Sequence, residues 1–297
     1  MTVLHGKLNR EYLGRSYSGG DIVVTPEMVI AYALATNDPN PHYLGEKEPF
    51  VAPPLFAVRL FVECMFKPLT DPGLGVDLLR LVHGEQDMRF YRPILPGDLC
   101  TLQAIVHGIE EKSSGELLRI LMRCRIEQSL AVEAIAGMFI RGPRREPGEK
   151  RPVTAGRPAA AGAEAKAPAN PEPLFRVPME VTKDQTFRYA EASGDHNPIH
   201  VDDAVARMAG HPGVILQGLC TMAFCSRAIV QRACAGNPLR LKRLAVRFSK
   251  PVLPGDSLTT SAWKLGAEAE VVRYGFETTN QSGALVITNG LAEVTTG

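Results

Sequence analysis

The sequence predicts an α+β protein built from two copies of one domain, each a long central helix wrapped by a curved antiparallel sheet, the two joined as a single-chain pseudo-dimer. Three observations lead there. The chain repeats itself: Thr25, Tyr32, Ala33, Ala35, Asp38, Asn40 and Pro41 return as Thr182, Tyr189, Ala190, Ala192, Asp195, Asn197 and Pro198 at an offset of 157, and RFYRPILPGD (Arg89 to Asp98) returns as RFSKPVLPGD (Arg247 to Asp256) at an offset of 158. In each copy two helical stretches precede a run of adjacent strands, an order that suits an antiparallel sheet and not βαβ units. Isolated copies would also leave sheet edges open to pairing, so the economical packing makes the two sheets continuous.

The elements follow in the same order in each half. Thr25 with Pro26 next to it opens a helix in the first copy. In the second, TKDQ from Thr182 is a capping box, and the helix should end at Gly194 as a left-handed stop. A longer helix comes next. In the first copy Leu55, Val58, Val62, Met65, Phe66 and Leu69 form an apolar stripe, with Arg59, Glu63 and Lys67 on a wet face. In the second, Gly218 to Val230 is apolar almost all round, so other structure should enclose it. Strand-like runs then occupy about 82–91, 99–108, 116–127 and 131–141, and again 240–250, 258–265, 270–279 and 284–294; Leu118, Ile120, Met122, Cys124 and Ile126 alternate with arginines most clearly. LPGD, at Leu95 to Asp98 and Leu253 to Asp256, reads as a tight turn between strands.

Residues 142–173 are rich in Ala, Pro and Gly and nearly free of large apolar side chains. Such a stretch cannot bury a core and is expected to be a disordered linker between domains at 1–141 and 174–297. With 33 Lys+Arg against 32 Asp+Glu the chain carries no electrostatic footprint for nucleic acid or an anionic membrane, and no window has the ~20 apolar residues of a membrane span. The N-terminus has no apolar run of a secretory signal and the C-terminus, VTTG, is not a peroxisomal Ser-Lys-Leu address, so a cytoplasmic protein is expected. Cys64, Cys100, Cys124, Cys220, Cys225 and Cys234 show no metal or disulfide spacing and are read as reduced, mostly buried thiols; no metal site is expected.

Chemistry concentrates in YAEASGDHNPIH (Tyr189 to His200). Asp195 and His200 lie across a Gly194 stop and Pro198, in a loop able to turn both side chains to one point. A carboxylate beside an imidazole can hold and deprotonate a water near neutral pH. Turn chemistry alone also explains Asp195, Asn197 and Pro198, with His200 a surface residue. His83, His107 and His211 lack comparable company and read as surface or packing residues.

The block from residue 189 to 224, through Ser193, Gly194, Asp195, Asn197, Pro198, Ile199 and His200 and on to GVILQGLCTMAF (Gly213 to Phe224), resembles the hydratase 2 signature of MaoC-like hotdog enzymes, and RFSKPVLPGDSL resembles the strand and turn that follow. The resemblance implies a double hotdog fold and reversible hydration of trans-2-enoyl thioesters of coenzyme A to (R)-3-hydroxyacyl thioesters. It implies Asp195 and His200 as holders of the water, Asn197 as support, and no cofactor beyond coenzyme A in the substrate. Gly218, at the start of the buried helix, would offer its N–H to the developing enolate, although close packing alone would also explain a glycine there. Members commonly carry His before this glycine; here Gln217 stands there, able to orient substrate but not to act as a base. In the first copy Tyr43 takes the place of His200, with His42 one residue away, so that half resembles the degenerate half of such enzymes, thought to accommodate the acyl chain. A dehydratase acting on acyl carrier protein and a noncatalytic acyl-CoA-binding hotdog are the alternatives. The sequence leaves a homodimer of pseudo-dimers open.

Overall fold

The structure, a computed structural model, describes residues 7–142 and 171–296; nearly all of the expected linker lies outside the described residues. The first half runs β1 (Ser16–Val23), α1 (Pro26–Ala35), α2 (Ala57–Thr70), β2 (Leu81–Phe90), β3 (Leu99–Lys112), β4 (Gly115–Ile126) and β5 (Ser129–Arg141). The second runs β6 (Phe175–Glu180), α3 (Gln185–Ser193), α4 (Asp203–Met208), α5 (Gly218–Arg232), β7 (Leu241–Phe248), β8 (Ser257–Glu268), β9 (Val271–Asn280) and β10 (Leu285–Thr295). All ten strands join one antiparallel sheet in the order β1-β3-β4-β5-β2-β7-β10-β9-β8-β6. Read in equivalents, that order is the same from either end.

Two contacts locate the local twofold axis. At the seam β2 pairs with β7, and Asp87 faces Ala245, its own counterpart at the offset of 158. On the helix side Tyr32 and Tyr189, counterparts at 157, bring their hydroxyls to 3.3 Å with both rings fully buried. The continuous sheet therefore closes as an isologous interface inside one chain. Removing one hydroxyl of this pair leaves the other buried without a partner, so Tyr32→Phe or Tyr189→Phe should each cost about 1–3 kcal/mol, while the double variant should recover much of the loss. Denaturant unfolding of the three variants checks this; an additive double loss would contradict it.

Each helix begins and ends for local reasons. Thr25 Oγ1 accepts from the Met28 N–H at 3.3 Å and Pro26 fills the first helical position. In the second copy the capping-box contact forms, Thr182 N–H to Gln185 Oε1 at 3.3 Å, but the chain turns after Thr182 and Asp184 stands at the N-cap position of α3 without a side-chain cap, so the helix starts later than the sequence predicts. It stops at Gly194 with φ of 79°, a backbone state that glycine adopts without strain. α5 is enclosed as its composition predicts, eleven of fifteen residues being buried. α2 departs from the predicted stripe: Leu60, Phe61 and Cys64 turn inward, while Val62 and Phe66 share the outer face with Glu63 and Lys67.

Both LPGD segments are the expected turns, Asp98 and Asp256 each accepting from the leucine N–H three residues back at 2.7 and 2.9 Å. All six cysteines are buried and unpaired. The outermost strands β1 and β6 are absent from the sequence reading. β1 carries Gly19 because α2 and β3 lie against it: a Cβ there would meet Cys64 at 2.8 Å and Leu102 at 2.6 Å. β6 carries Pro178, tolerated because it pairs on one side only. Among the described residues no helix is long and apolar enough to cross a membrane.

Candidate active site

The loop after α3 is folded by the turn chemistry that its sequence spells out. Asp195 Oδ1 accepts from the Asn197 N–H at 3.3 Å, and Asn197 Oδ1 accepts from Ile199 N–H at 3.4 Å, capping a single 3-10 turn at Pro198–His200. Asn197 thus spends its oxygen on the backbone that carries His200. The turn chemistry is present as the sequence spells it, but His200 is buried and not the surface residue that turn chemistry alone would leave.

His200 is 7% exposed and its Nδ1 lies 2.7 Å from the carbonyl oxygen of Ile215. A carbonyl only accepts, so Nδ1 carries the proton and Nε2 keeps its lone pair. Desolvation pulls the His200 pKa below the ordinary imidazole value, partly offset by the nearby Asp195 charge and by the Ile215 carbonyl. The ring is therefore neutral near pH 7, the state a general base needs. With His200 as the base the unprotonated form would be the active one, and since its pKa is depressed, kcat/KM should hold as pH falls to the ordinary imidazole value of about 6.5 and drop only below it. A pH–rate profile checks this; an acid limb centred above that value would contradict it.

Asp195 opens onto a cleft of about 490 Å3 lined by Gly194, His196 and Asn197 on one side and by the outer face of α2 (Val62, Glu63, Phe66, Lys67 and Thr70) on the other. The wet face of α2 thus faces Asp195 and Asn197 across this cleft, while His200 and Gly218 do not line it. Gly218 is the first residue of α5, so its N–H has no partner within the helix. A Cβ on it would stand 3.2 Å from the Phe248 ring, and glycine keeps that approach open.

Gln217 points away from the cleft. It is fully buried, and its Nε2 donates to the Thr186 carbonyl at 3.0 Å and the Asp195 carbonyl at 3.4 Å. It ties α3 to the loop and positions Asp195. Its Oε1 and the Thr186 hydroxyl are buried with no protein partner.

Backbone hydrogen bonds fix which residues of the first half stand where. Tyr43 N–H to Asn40 O repeats His200 N–H to Asn197 O, both at 2.9 Å, so Tyr43, and not His42, takes the histidine's place. Ala52 N–H to Ile94 O repeats Leu216 N–H to Val252 O, both at 2.8 Å, which sets Pro53 and Pro54 where Gln217 and Gly218 stand. Proline has no N–H, so this half has no donor at the helix start. The loop is tied down as well: Arg227 of α5 donates to the Asn37 carbonyl at 2.5 Å and Asn40 donates to the Gly236 carbonyl at 2.9 Å. Burial raises the Asp38 pKa to about 6 against the pull of Arg227, and the Tyr43 hydroxyl is buried without a partner.

One residue that the sequence reading set aside belongs to this neighbourhood. His83, on β2 of the first half, lies with its ring centroid 5.2 Å from that of Phe248 and feels the charge of Asp195. Nothing in its local sequence marks it, because only the pseudo-dimer seam brings it there. His107 is exposed and His211 is half-buried, as their surroundings suggest. Among the described residues no group of three His, Cys, Asp or Glu side chains converges as a metal-binding set.

Comparison with known proteins places this geometry. The family profile described as MaoC like domain matches residues 164–285, and that described as FAS1-like, dehydratase domain region matches 11–129, so each half is covered by its own match. A probable enoyl-CoA hydratase 2 of Dictyostelium discoideum is 30% identical over 223 residues, which are 74% of this chain and 72% of that one. The chain belongs to the MaoC-like hydratase/dehydratase family. It is also 31% identical over 230 residues to a 3-hydroxyacyl-thioester dehydratase Y of Mycobacterium tuberculosis, covering 73% of each chain. Among solved structures, a MaoC-like dehydratase from Phytophthora capsici superposes with a TM-score of 0.76 at 26% identity over 96% of both chains. The double hotdog architecture and a hydro-lyase activity follow for this MaoC-like enzyme.

Proposed function

We propose that this MaoC-like enzyme reversibly hydrates trans-2-enoyl thioesters of coenzyme A to (R)-3-hydroxyacyl thioesters, with Asp195 and His200 sharing the water. The observation that carries the reading is the locked tautomer of His200, which leaves Nε2 unprotonated in the same loop as Asp195, whose charge the ring feels. In the forward direction the water oxygen bonds to C3 while its proton passes to His200 Nε2. The double-bond electrons move toward C2 and the thioester oxygen, where the Gly218 N–H and the α5 dipole offset the developing charge. A proton returned to C2 from the same pair completes the addition on one face of the double bond. Asn197 supports the site by holding the turn that carries His200.

The first half contributes accommodation and not chemistry. The acyl chain runs along the outer face of α2, where Val62 and Phe66 line the cleft, because the inner face, with Leu60, Phe61 and Cys64, is packed shut. Dehydration of a 3-hydroxyacyl thioester, on coenzyme A or on acyl carrier protein, uses the same groups in reverse. A noncatalytic acyl-CoA-binding role would not need the proton-handling pair. The test is a panel of enoyl-CoA thioesters from four carbons upward, followed by loss of the conjugated double bond, with the product offered to (R)- and (S)-specific dehydrogenases. No turnover of any member, or a product taken by the (S)-specific enzyme, would overturn the reading.

A further inference from the structure

One difference between the two halves lies outside the groups assigned to the reaction. Across the irregularity in each half, β2 pairs Glu85 with Gly137 and His83 with Met138, while β7 pairs Arg243 with Glu293 and Leu241 with Val294. His83 and Leu241 are therefore counterparts. The half-site with Gly218 and His200 receives a histidine from across the seam; the half-site with Pro54 and Tyr43 receives a leucine. Phe248 and Phe90, each at the end of its seam strand, are also counterparts, so the ring that the histidine touches is present in both halves and only its supporting side chain differs.

His83 is itself held. Its Nε2 lies 3.0 Å from Oε1 of Gln86, which is 2% exposed, and its ring meets Phe248 edge-on at 67° between planes. Phe248 in turn lies against Gly218, its ring atoms 3.2 Å from where a Cβ would be. A chain of contacts thus runs from Gln86 in the first half, through His83 and Phe248, to Gly218 at the helix start of the second. Phe248 touches both His83 and Gly218, so the side chain its ring meets edge-on bears on where that ring rests beside the glycine. Leucine offers a shorter, non-planar surface with no hydrogen bond to fix it.

We propose that His83, supplied by the first half, is a positioning residue of the second half's active site that holds the Phe248 ring beside Gly218 so that the glycine N–H stays open to the thioester carbonyl. The proposal rests on the hydration reading for its kinetic consequence, but its geometric consequence stands apart from it. His83→Leu, which copies the counterpart position, should lower kcat roughly 10- to 100-fold with KM nearly unchanged, as expected when a donor used in the transition state is displaced slightly. His83→Gln keeps a partner for Gln86 but has no ring, and it should lose kcat as leucine does. Leu241→Met, in the degenerate half, should leave kcat unchanged.

The second readout needs no substrate. With glycine selectively labelled with 15N, the Gly218 amide resonance should move in His83→Leu and His83→Gln and stay in place in Leu241→Met. A wild type that hydrates no thioester would end the hydration reading and leave the Gly218 resonance to decide on His83. Wild-type kcat in His83→Leu, a loss confined to KM, recovery by His83→Gln, or an unmoved Gly218 amide would overturn the proposal. Should His83→Leu fail to fold, His83→Gln carries both readouts.

Discussion

Asp195→Asn and His200→Gln are each expected to cut hydration by ~100- to 10,000-fold while leaving the melting temperature near that of the wild type. His200→Gln retains an amide able to donate to the Ile215 carbonyl, so the loop keeps its anchor and loses its base. Asp195→Asn retains the oxygen that accepts from the Asn197 N–H, so the turn should persist while the charge that faces His200 disappears. Under the proposed mechanism the two groups handle one water as a unit, so the double variant should be little worse than either single one. His42→Gln is the matched control: His42 is buried with its Nδ1 3.1 Å from the Pro49 carbonyl, and Tyr43 occupies the histidine's place in that half. Most activity should survive this change. Equal damage from His42→Gln and His200→Gln would mean that chemistry is not confined to the second half.

What the sequence makes legible here depends on whether the partners are near one another along the chain. The Asp195, Asn197 and His200 loop is contiguous, and its own turn rules fold it, so its residues can be picked out in order. The pseudo-dimer is legible because a duplication leaves a constant offset, which the Tyr32–Tyr189 and Asp87–Ala245 pairs then realise on the axis. Gln217 is harder: its residue type suits substrate binding as well as backbone bridging, and the Thr186 and Asp195 carbonyls to which it donates are remote from it in the sequence. The outer face of α2 reads as solvent-exposed, which it is, but periodicity cannot say that the solvent in question fills a cleft opposite Asp195. His83 is least legible, since its neighbour Phe248 belongs to the other copy and meets it only across the seam. β1 escapes because Gly19 and Gly20 interrupt the alternation by which strands are recognised, and β6 because it is short and carries Pro178 although Phe175, Val177 and Met179 alternate inward; edge strands have that licence and central strands do not.

Gly218→Pro separates the donor at the helix start from the space around it. Pro54 already fills the counterpart position in the first half, so a proline here has a precedent within the same chain. Proline is well suited to the first position of a helix, where its missing N–H breaks no intrahelical bond. Gln217 has φ of −56° and ψ of 133°, which is the extended state that a residue before proline prefers. The helix should therefore form and the melting temperature change little, while the thioester oxygen loses its donor. Loss of one such donor costs about 100- to 1,000-fold in kcat. Gly218→Ala tests the other half of the argument: it keeps the N–H and adds a Cβ 3.2 Å from the Phe248 ring, so the ring must give way and a smaller loss is expected. If proline and alanine lose the same activity, close packing and not the N–H is what the glycine provides. If proline retains wild-type kcat, the helix start is not the site where the enolate charge is met.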